Sequence, residues 1–126
     1  MALVLVVEDN ATVAALMREI LTEEGYTVVI APDGATGLRQ LQTLRPGLII
    51  TEARLLGMNG LAFCRAVRDN PATVGIPIIL ASTAKEDGIA GQCDYAAFLP
   101  KPFALTTLLQ LVERLYQPDS ALIGQA

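Results

Sequence analysis

Six polar side chains each stand directly after a short apolar run of the chain. They are Glu8, Asp9, Glu52, Ser82, Thr83 and Lys101. Neighbouring carboxylates can hold a divalent cation through oxygen ligands, as Mg²⁺ sites often do beside a phosphate-bearing partner. A hydroxyl and an ammonium can hydrogen-bond to phosphoryl oxygens and neutralise their charge. Any one of these residues alone would be an ordinary solvated loop residue, so phosphoryl chemistry is predicted only if the fold brings them together.

Five apolar runs alternate with segments of helical periodicity. The runs cover residues 3–7, 26–31, 48–51, 76–81 and 96–99 and are predicted strands. The first predicted helix begins after the N-cap residue Asn10 and stops at Gly25. Further helices are predicted before Pro46, before Pro71 and after Pro102.

This alternation predicts an α/β fold with three layers. Its centre is a doubly wound, five-stranded parallel sheet with right-handed crossovers, and helices cover both faces. Ligands of such sheets bind beyond the carboxyl ends of the strands, near the switch point in strand order. Because the polar residues follow strands, we expect three carboxylates, a hydroxyl and an ammonium to converge in one acidic cup.

The composition excludes several classes of function. The 126 residues are the size of one domain, and 13 acidic residues outnumber 9 basic ones. No cluster of Lys or Arg is present, which argues against a nucleic-acid partner. The absence of histidine excludes a Ser-His-Asp site, a phosphohistidine relay on this chain and the commonest zinc ligands. No apolar run approaches the roughly 18 residues of a membrane span, so we expect a cytoplasmic chain with no membrane partner.

The two cysteines, Cys64 and Cys93, lie far apart in the sequence and neither belongs to a CxxC motif. This spacing indicates neither a metal knuckle nor a redox pair. Each is expected to be a small, half-buried apolar residue in a reducing compartment.

Four short motifs follow one another along the chain. They are the segments 6–10 (VVEDN), 57–60 (GMNG), 76–79 (IPII) and 101–103 (KPF). Together they resemble the receiver domain of bacterial response regulators, over about residues 3–116. The resemblance implies a flavodoxin-like sheet of strand order 2-1-3-4-5. It also implies a sensor histidine kinase that phosphorylates an aspartate after the third strand, and a face around the last strand that then engages a partner.

The resemblance also implies residue roles. Lys101 would contact the phosphoryl group, and Pro102 would follow a cis peptide bond. Ser82 corresponds to the switch hydroxyl, with Thr83 as the alternative if the register slips by one residue. Phe98 falls at the position of the switching aromatic side chain.

The implied Mg²⁺ site contains the first departures from the family pattern. Glu8 and Asp9 would be the acid pair, with Asp9 as the direct metal ligand, and Arg54 would offer its backbone carbonyl. The Arg54 guanidinium either pairs with Glu52 or Asp9 or points into solvent, and both readings stay open. In the first case it would relieve the repulsion among the carboxylates. We expect Mg²⁺ binding to be weak or absent because of Glu52 and Arg54.

The phosphoacceptor position holds Glu52 instead of an aspartate. The additional methylene moves the carboxylate outward by about 1.5 Å, one bond length. In-line phosphoryl transfer is sensitive to such an error, since a misplacement of about 1 Å can cost about a hundredfold in rate. Two hypotheses follow: Glu52 is a fixed substitute for the phosphorylated residue, or the site is inert.

Two further departures concern loops. The segment between Ser82 and Lys101 is about three residues, nearly one helical turn, shorter than the family commonly has. The helix between the fourth and fifth strands is therefore predicted to be short, distorted or missing. Leu56 replaces the proline usual before Gly57, which is expected to loosen that turn.

These observations predict a pseudo-receiver of a two-component phosphorelay that acts by protein–protein contact and is not an enzyme. Its expected partner is a sensor histidine kinase or another signalling protein, and it is expected to be a monomer or a weak dimer. The receiver domain would span residues 1–117, followed by a flexible tail at 118–126. The alternative is a Mg²⁺-dependent, phosphatase-like enzyme using the strand-end acids, although residues 8–10 lack the Asp-x-Asp pattern of such enzymes.

Overall fold

A computed structural model describes residues 2–55 and 57–118 of the chain. The strands within them are β1 (Leu3–Val7), β2 (Thr27–Ala31), β3 (Leu48–Glu52), β4 (Ile78–Ser82) and β5 (Ala97–Pro100). They pair in parallel in the order β2-β1-β3-β4-β5. The predicted five-stranded parallel sheet and its order 2-1-3-4-5 are confirmed.

Four α-helices connect or follow the strands in this part of the chain. They are α1 (Ala11–Glu23), α2 (Gly34–Gln40), α3 (Gly60–Asp69) and α4 (Leu105–Leu115). The side chain of Asn10 caps α1 by accepting hydrogen bonds from the backbone N–H groups of Thr12 and Val13. Gly25 follows α1 with a φ of +94°, which glycine adopts without strain. Both predicted ends of this helix therefore have a local cause.

Alternate residues of each strand point to opposite faces of the sheet, and helices cover both faces. On one face, Val4 and Val6 belong to a core cluster that includes Leu108 of α4. On the other face, Leu5 and Phe63 of α3 belong to a second cluster. The predicted three-layer arrangement is confirmed.

The connection between β4 and β5 contains a single regular element within the described residues, the 3-10 turn Glu86–Gly88. Ile89, which follows this turn, is buried in a cluster with Ala53, Leu61 and Leu80. The prediction that the helix here is short, distorted or missing is confirmed. Ile89 is the buried residue of the segment 83–96, and most of the other residues in that segment are exposed.

Some element boundaries differ from the predicted ones. The regular part of α2 ends at Gln40, five residues before the predicted end, and the guanidinium of Arg45 donates hydrogen bonds to the carbonyl groups of Leu41 and Leu44. β4 begins at Ile78 because Pro77 has no N–H to donate to the ladder, although its carbonyl accepts from Ile49 N.

The expectation that the two cysteines are separate apolar residues is wrong. Cys64 and Cys93 form a disulfide that links α3 to the residues before β5, with their Cα atoms 6.2 Å apart. The 29 residues between them include β4 and the whole connection that follows it. Sequence spacing cannot reveal this pairing, because it arises only when the chain returns across the sheet.

The residues after α4 pack back against the amino-terminal edge of the sheet. Gln117 N donates to Gly47 O at 3.0 Å, and the Tyr116 hydroxyl accepts from Leu3 N at 3.2 Å. Leu56 and residues 119–126 lie outside the described residues, and so do the expectations for the Leu56 turn and most of the tail. Every helix in the described part of the chain is too short or too polar to span a lipid bilayer.

Candidate functional site

A cavity of about 550 Å³ opens at the carboxyl ends of the strands and is called here the strand-end cavity. Its polar wall consists of Glu8, Asp9, Asn10, Glu52, Thr83 and Lys101. Its apolar wall consists of Val13, Leu16, Pro102 and Phe103. Five of the six polar residues that the sequence singles out therefore line one cavity, and Ser82 does not.

Lys101 lies between two carboxylates that come from different strands. Its Nζ is 2.8 Å from Glu52 Oε1 and also forms an ion pair with Glu8 Oε1. Glu8 is 3% exposed and Glu52 is 8% exposed, so water screens these interactions poorly. Burial lowers the pKa of Lys101, but hydrogen bonds and charge from Glu52 and Glu8 outweigh it and raise the pKa above its ordinary value of 10.5. The ammonium therefore stays charged.

The second oxygen of each carboxylate accepts a backbone hydrogen bond. Glu8 Oε2 accepts from Asn10 N at 3.1 Å, and Glu52 Oε2 accepts from Arg54 N at 3.0 Å. Backbone donors of the two loops thus hold the carboxylates in addition to the ammonium. The result is an arrangement of two carboxylates around one ammonium.

The ends of the strands hold these side chains in position. Glu8 N donates to Ala31 O, which extends the pairing of β1 with β2 by one residue. Lys101 N donates to Ser82 O at 2.9 Å, and the peptide bond between Lys101 and Pro102 is cis. The lysine is therefore tied to the end of β4 through its own backbone.

Gly60 lets the start of α3 approach the end of β3. Gly60 N donates to Ala53 O at 2.9 Å. A Cβ atom at this position would lie 1.9 Å from the backbone oxygen of Glu52, far inside van der Waals contact. The second glycine of the 57–60 motif is thus needed for the backbone that carries Glu52.

The two candidate hydroxyl residues take different positions. Ser82 is buried, and its Oγ accepts a hydrogen bond from Ala84 N at 3.1 Å. Thr83 is exposed and lines the strand-end cavity. Phe98 is half-buried in the cluster around Ile89, away from the cavity lining.

Arg54 contributes its backbone N–H to Glu52, while its side chain is exposed and lines a separate cleft. This cleft of about 380 Å³ also contains Lys85 and Asp87 from the connection after β4. The charged partner of Glu52 at 2.8 Å is the Lys101 ammonium. Of the two hypotheses for the guanidinium, this geometry favours the one in which it points toward solvent.

The side chains of this arrangement do not form a site for a divalent cation. Within residues 2–55 and 57–118, no group of three or more acidic, histidine or cysteine side chains is placed to hold a metal ion. All four oxygens of Glu8 and Glu52 already accept a hydrogen bond or ion pair from the protein. Mg²⁺ needs several oxygen ligands at short distance, so the side chains in this arrangement fit an ammonium better than the metal.

The sequence reasoning missed the apolar wall of the cavity. Val13 and Leu16 are among the apolar residues that recur at helical spacing along α1, a pattern that ordinarily faces a core. Leu16 is instead 49% exposed at the cavity. The feature of the sequence that could have indicated this apolar wall is the width of the apolar stripe on α1, which includes more apolar positions than a helix facing one sheet requires.

Comparisons with known proteins give a consistent result. Residues 4–113 match the family profile described as "Response regulator receiver domain". The chain is 36% identical over 107 residues to the DNA-binding response regulator MtrA of Mycolicibacterium paratuberculosis, an alignment that covers 79% of this chain and 44% of MtrA. The chain thus spans less than half the length of this relative.

Two solved structures are also similar to this one. The chemotaxis protein CheY4 of Vibrio cholerae superposes with a TM-score of 0.87 at 30% identity, covering 91% of this chain and 98% of CheY4. The receiver domain of a Pseudomonas aeruginosa sensor histidine kinase superposes with a TM-score of 0.81 at 25% identity, covering 90% of this chain and 96% of that one. That structure has a magnesium ion coordinated in its active-site cleft.

Proposed function

Because the chain belongs to the family of response regulator receiver domains, we propose that it is a pseudo-receiver of a two-component system. It works by protein–protein contact and catalyses no reaction of its own. Glu52 takes the place of the phosphorylated residue as a permanent negative charge. The competing phosphatase-like function has no observation in its favour, since the matched relatives are described as regulators.

The observation that carries this proposal is the ion pair of Glu52 with Lys101 at 2.8 Å. The longer glutamate side chain reaches the lysine while its second oxygen accepts from Arg54 N. Its extra reach would place the carboxylate charge near where a phosphoryl oxygen of a modified aspartate would lie, already paired with the Lys101 ammonium. A site held in this way requires neither the phosphoryl group nor Mg²⁺, and we propose that Mg²⁺ binding is weak or absent.

The strand-end cavity supports a protein partner. Its apolar wall, with Leu16 and Phe103, stands beside a polar wall that carries Asp9 and Thr83. An amphipathic helix has both kinds of surface and fits such a groove. We propose that this helix belongs to a sensor histidine kinase or a related signalling protein in the cytoplasm.

We propose that this chain does not bind nucleic acid. MtrA is described as DNA-binding, but the alignment leaves more than half of MtrA unmatched. The net charge of this chain is −4, and its 9 basic residues form no cluster in the sequence. Tight binding to a phosphate backbone needs clustered basic side chains that displace the counterions of the nucleic acid, and this sequence has no such cluster.

The first test is phosphorylation by acetyl phosphate with Mg²⁺, followed by intact-mass spectrometry. The wild-type chain is expected to gain no phosphoryl group, whereas Glu52→Asp restores the family's acceptor and is expected to gain one. Glu52→Gln is the control that removes the charge and the nucleophile together. A stable phosphoryl adduct on the wild-type chain would overturn the proposal.

The second test separates a mimic from an inert site. Amide NMR spectra of the wild type are compared with those of Glu52→Asp, alone and with beryllium fluoride and Mg²⁺. A mimic is expected to match the beryllium fluoride complex in the region of β5 and α4. A match to the untreated Glu52→Asp variant would show that the site is inert.

A further inference from the structure

The disulfide between Cys64 and Cys93 joins a rigid element to a weakly anchored one. Cys64 lies on α3 and is fully buried, between the core residues Phe63 and Val67 on the same helix. Cys93 is half-buried and precedes β5 in a stretch with no regular secondary structure. The bond therefore links the connection after β4 to the core.

Two arginines of α3 hold the residues on either side of Cys93. The Arg65 guanidinium donates to Gln92 O at 3.0 Å, and Arg68 Nε donates to Asp94 O at 2.7 Å. Three successive residues of the connection are thus attached to one helix, two by hydrogen bonds and the middle one covalently. The same contacts hold two guanidinium groups at the backbone carbonyls of the residues that flank the half-buried Cys93, and cationic groups near a cysteine favour its reactive thiolate form.

Apart from the disulfide and its flanking hydrogen bonds, the connection contacts the core through the buried Ile89 and the partly buried Ala84 and Tyr95. Ile89 is buried against Ala53 and Leu80, while residues 85–88 are exposed. Segments with little buried apolar surface open at low free-energy cost. The disulfide is therefore a principal restraint on residues 83–96, and its state decides how firmly this segment is held.

We propose that Cys64 and Cys93 are a reversible thiol–disulfide site whose oxidation locks the connection between β4 and β5 onto α3. The oxidant is a small disulfide such as oxidised glutathione. The Cys93 thiolate attacks it, forming a mixed disulfide and releasing one glutathione thiolate. Cys64, after losing its proton, attacks the Cys93 sulfur and releases the second glutathione. The two cysteines lose two electrons and two protons, and one glutathione disulfide becomes two glutathione molecules.

This site acts on a different part of the domain from Glu52, but the two are physically connected. Ile89 belongs to the same buried cluster as Ala53, the residue after Glu52. The locked segment also supplies Lys85 and Asp87 to the cleft that contains Arg54. Reduction releases this segment and changes the surface beside the strand-end cavity, so a partner that contacts this side would sense the redox state.

The chemistry is tested on the full chain by thiol alkylation and mass spectrometry in glutathione buffers. The reduced chain is expected to take up two alkyl groups and the oxidised chain none. A digest of the oxidised chain should contain two peptides, carrying Cys64 and Cys93, that are linked by a disulfide. A persistent glutathione adduct, a disulfide-linked dimer or free thiols in excess oxidised glutathione would overturn the proposal. If reduced glutathione fails to reduce the disulfide between Cys64 and Cys93, the site is not reversible and the proposal is overturned.

The structural consequence is tested by hydrogen–deuterium exchange of both redox forms. Amides of residues 83–96 are expected to exchange about tenfold faster in the reduced chain, while those of α1 and α4 stay unchanged. Cys93→Ser should behave as the reduced chain in either buffer, and Cys64→Ala provides a second variant at the other end of the bond. Equal exchange of 83–96 in both redox forms would refute the lock, whatever the outcome of the phosphorylation tests.

Discussion

At the scale of single residues, Lys101 is the centre of the candidate site. It balances two carboxylates that are almost fully buried and that come from β3 and the end of β1. Removing one partner of such a group leaves an uncompensated charge in a poorly solvated place, which costs more than the intact pair contributes. The lysine is therefore expected to stabilise the fold as well as the site.

Lys101→Met tests this role. The variant keeps most of the side-chain volume but loses the ammonium, so Glu8 and Glu52 face each other unbalanced. We expect a loss of about 2 kcal/mol in the free energy of unfolding, measured by urea denaturation near neutral pH. Lys85→Met removes an exposed lysine and should stay within about 0.5 kcal/mol of the wild type. Equal losses in both variants would contradict the role of Lys101.

The pH dependence of stability gives a second prediction for Lys101. Its pKa in the folded state is raised above 10.5, so the folded chain holds this proton more tightly than the unfolded chain does. The stabilisation is complete below pH 10.5 and is lost as the pH rises through the folded-state pKa. Burial also raises the pKa values of Tyr26 and Tyr95, which act in the same direction.

The measurement is the urea midpoint of the wild type and of Lys101→Met from about pH 8 to about pH 11. The tyrosines are present in both proteins, so their effect cancels in the difference. We expect the advantage of the wild type to be constant at the lower pH values and to shrink at the upper ones. An advantage that grows with alkaline pH would show that the sign is wrong.

At the scale of elements, α3 positions both features that the proposals use. Its first residue packs against the backbone oxygen of Glu52. The guanidinium groups of Arg65 and Arg68 on the same helix donate hydrogen bonds to the connection after β4. A small rotation or shift of this helix would move both. The close approach at Gly60 and the disulfide at Cys64 limit such a shift from two points.

Gly60→Ala tests the close approach. The new Cβ would meet Glu52 O at 1.9 Å, so the helix or the end of β3 must move. We expect a loss of about 3 kcal/mol in the free energy of unfolding and displaced amide resonances at Glu52 and Arg54. Gly88→Ala is the matched control, because its Cβ would have no atom within 4 Å. A Gly60→Ala variant as stable as this control would contradict the packing.

At the scale of the whole molecule, the strand-end cavity and the net charge bear on the proposed protein partner. The chain carries a net charge of −4. Its cavity combines an apolar wall on α1 with a polar wall at the strand ends. Steering by this charge favours a partner with basic groups around an apolar anchor.

The behaviour of the chain toward duplex DNA tests the charge argument. We expect no saturable binding of a fluorescent duplex of random sequence at about 0.1 M salt, measured by fluorescence anisotropy. A basic DNA-binding protein of similar size serves as the positive control. Saturable binding that weakens steeply with salt would show that this chain carries a phosphate-binding surface after all.

The sequence by itself determined the elements and the edge where chemistry is found. Buried strands, the Asn10 cap and the Gly25 stop are local features, because they depend on side-chain periodicity and on a few backbone preferences. The parallel sheet predicted from the alternation of strands and helices places the ends of β1, β3, β4 and β5 at one edge. The sequence therefore indicates that Glu8, Glu52 and Lys101 lie at that edge.

Only the tertiary structure decided which of these groups touch. Lys101 meets Glu8 and Glu52 across 93 and 49 residues of chain, and Cys64 meets Cys93 across 29. Nor did the sequence reveal that Thr83, and not Ser82, lines the cavity, because a side chain changes face with a single residue of register. Contacts between distant residues depend on how helices pack and where strands end to within an ångström, which local patterns do not encode.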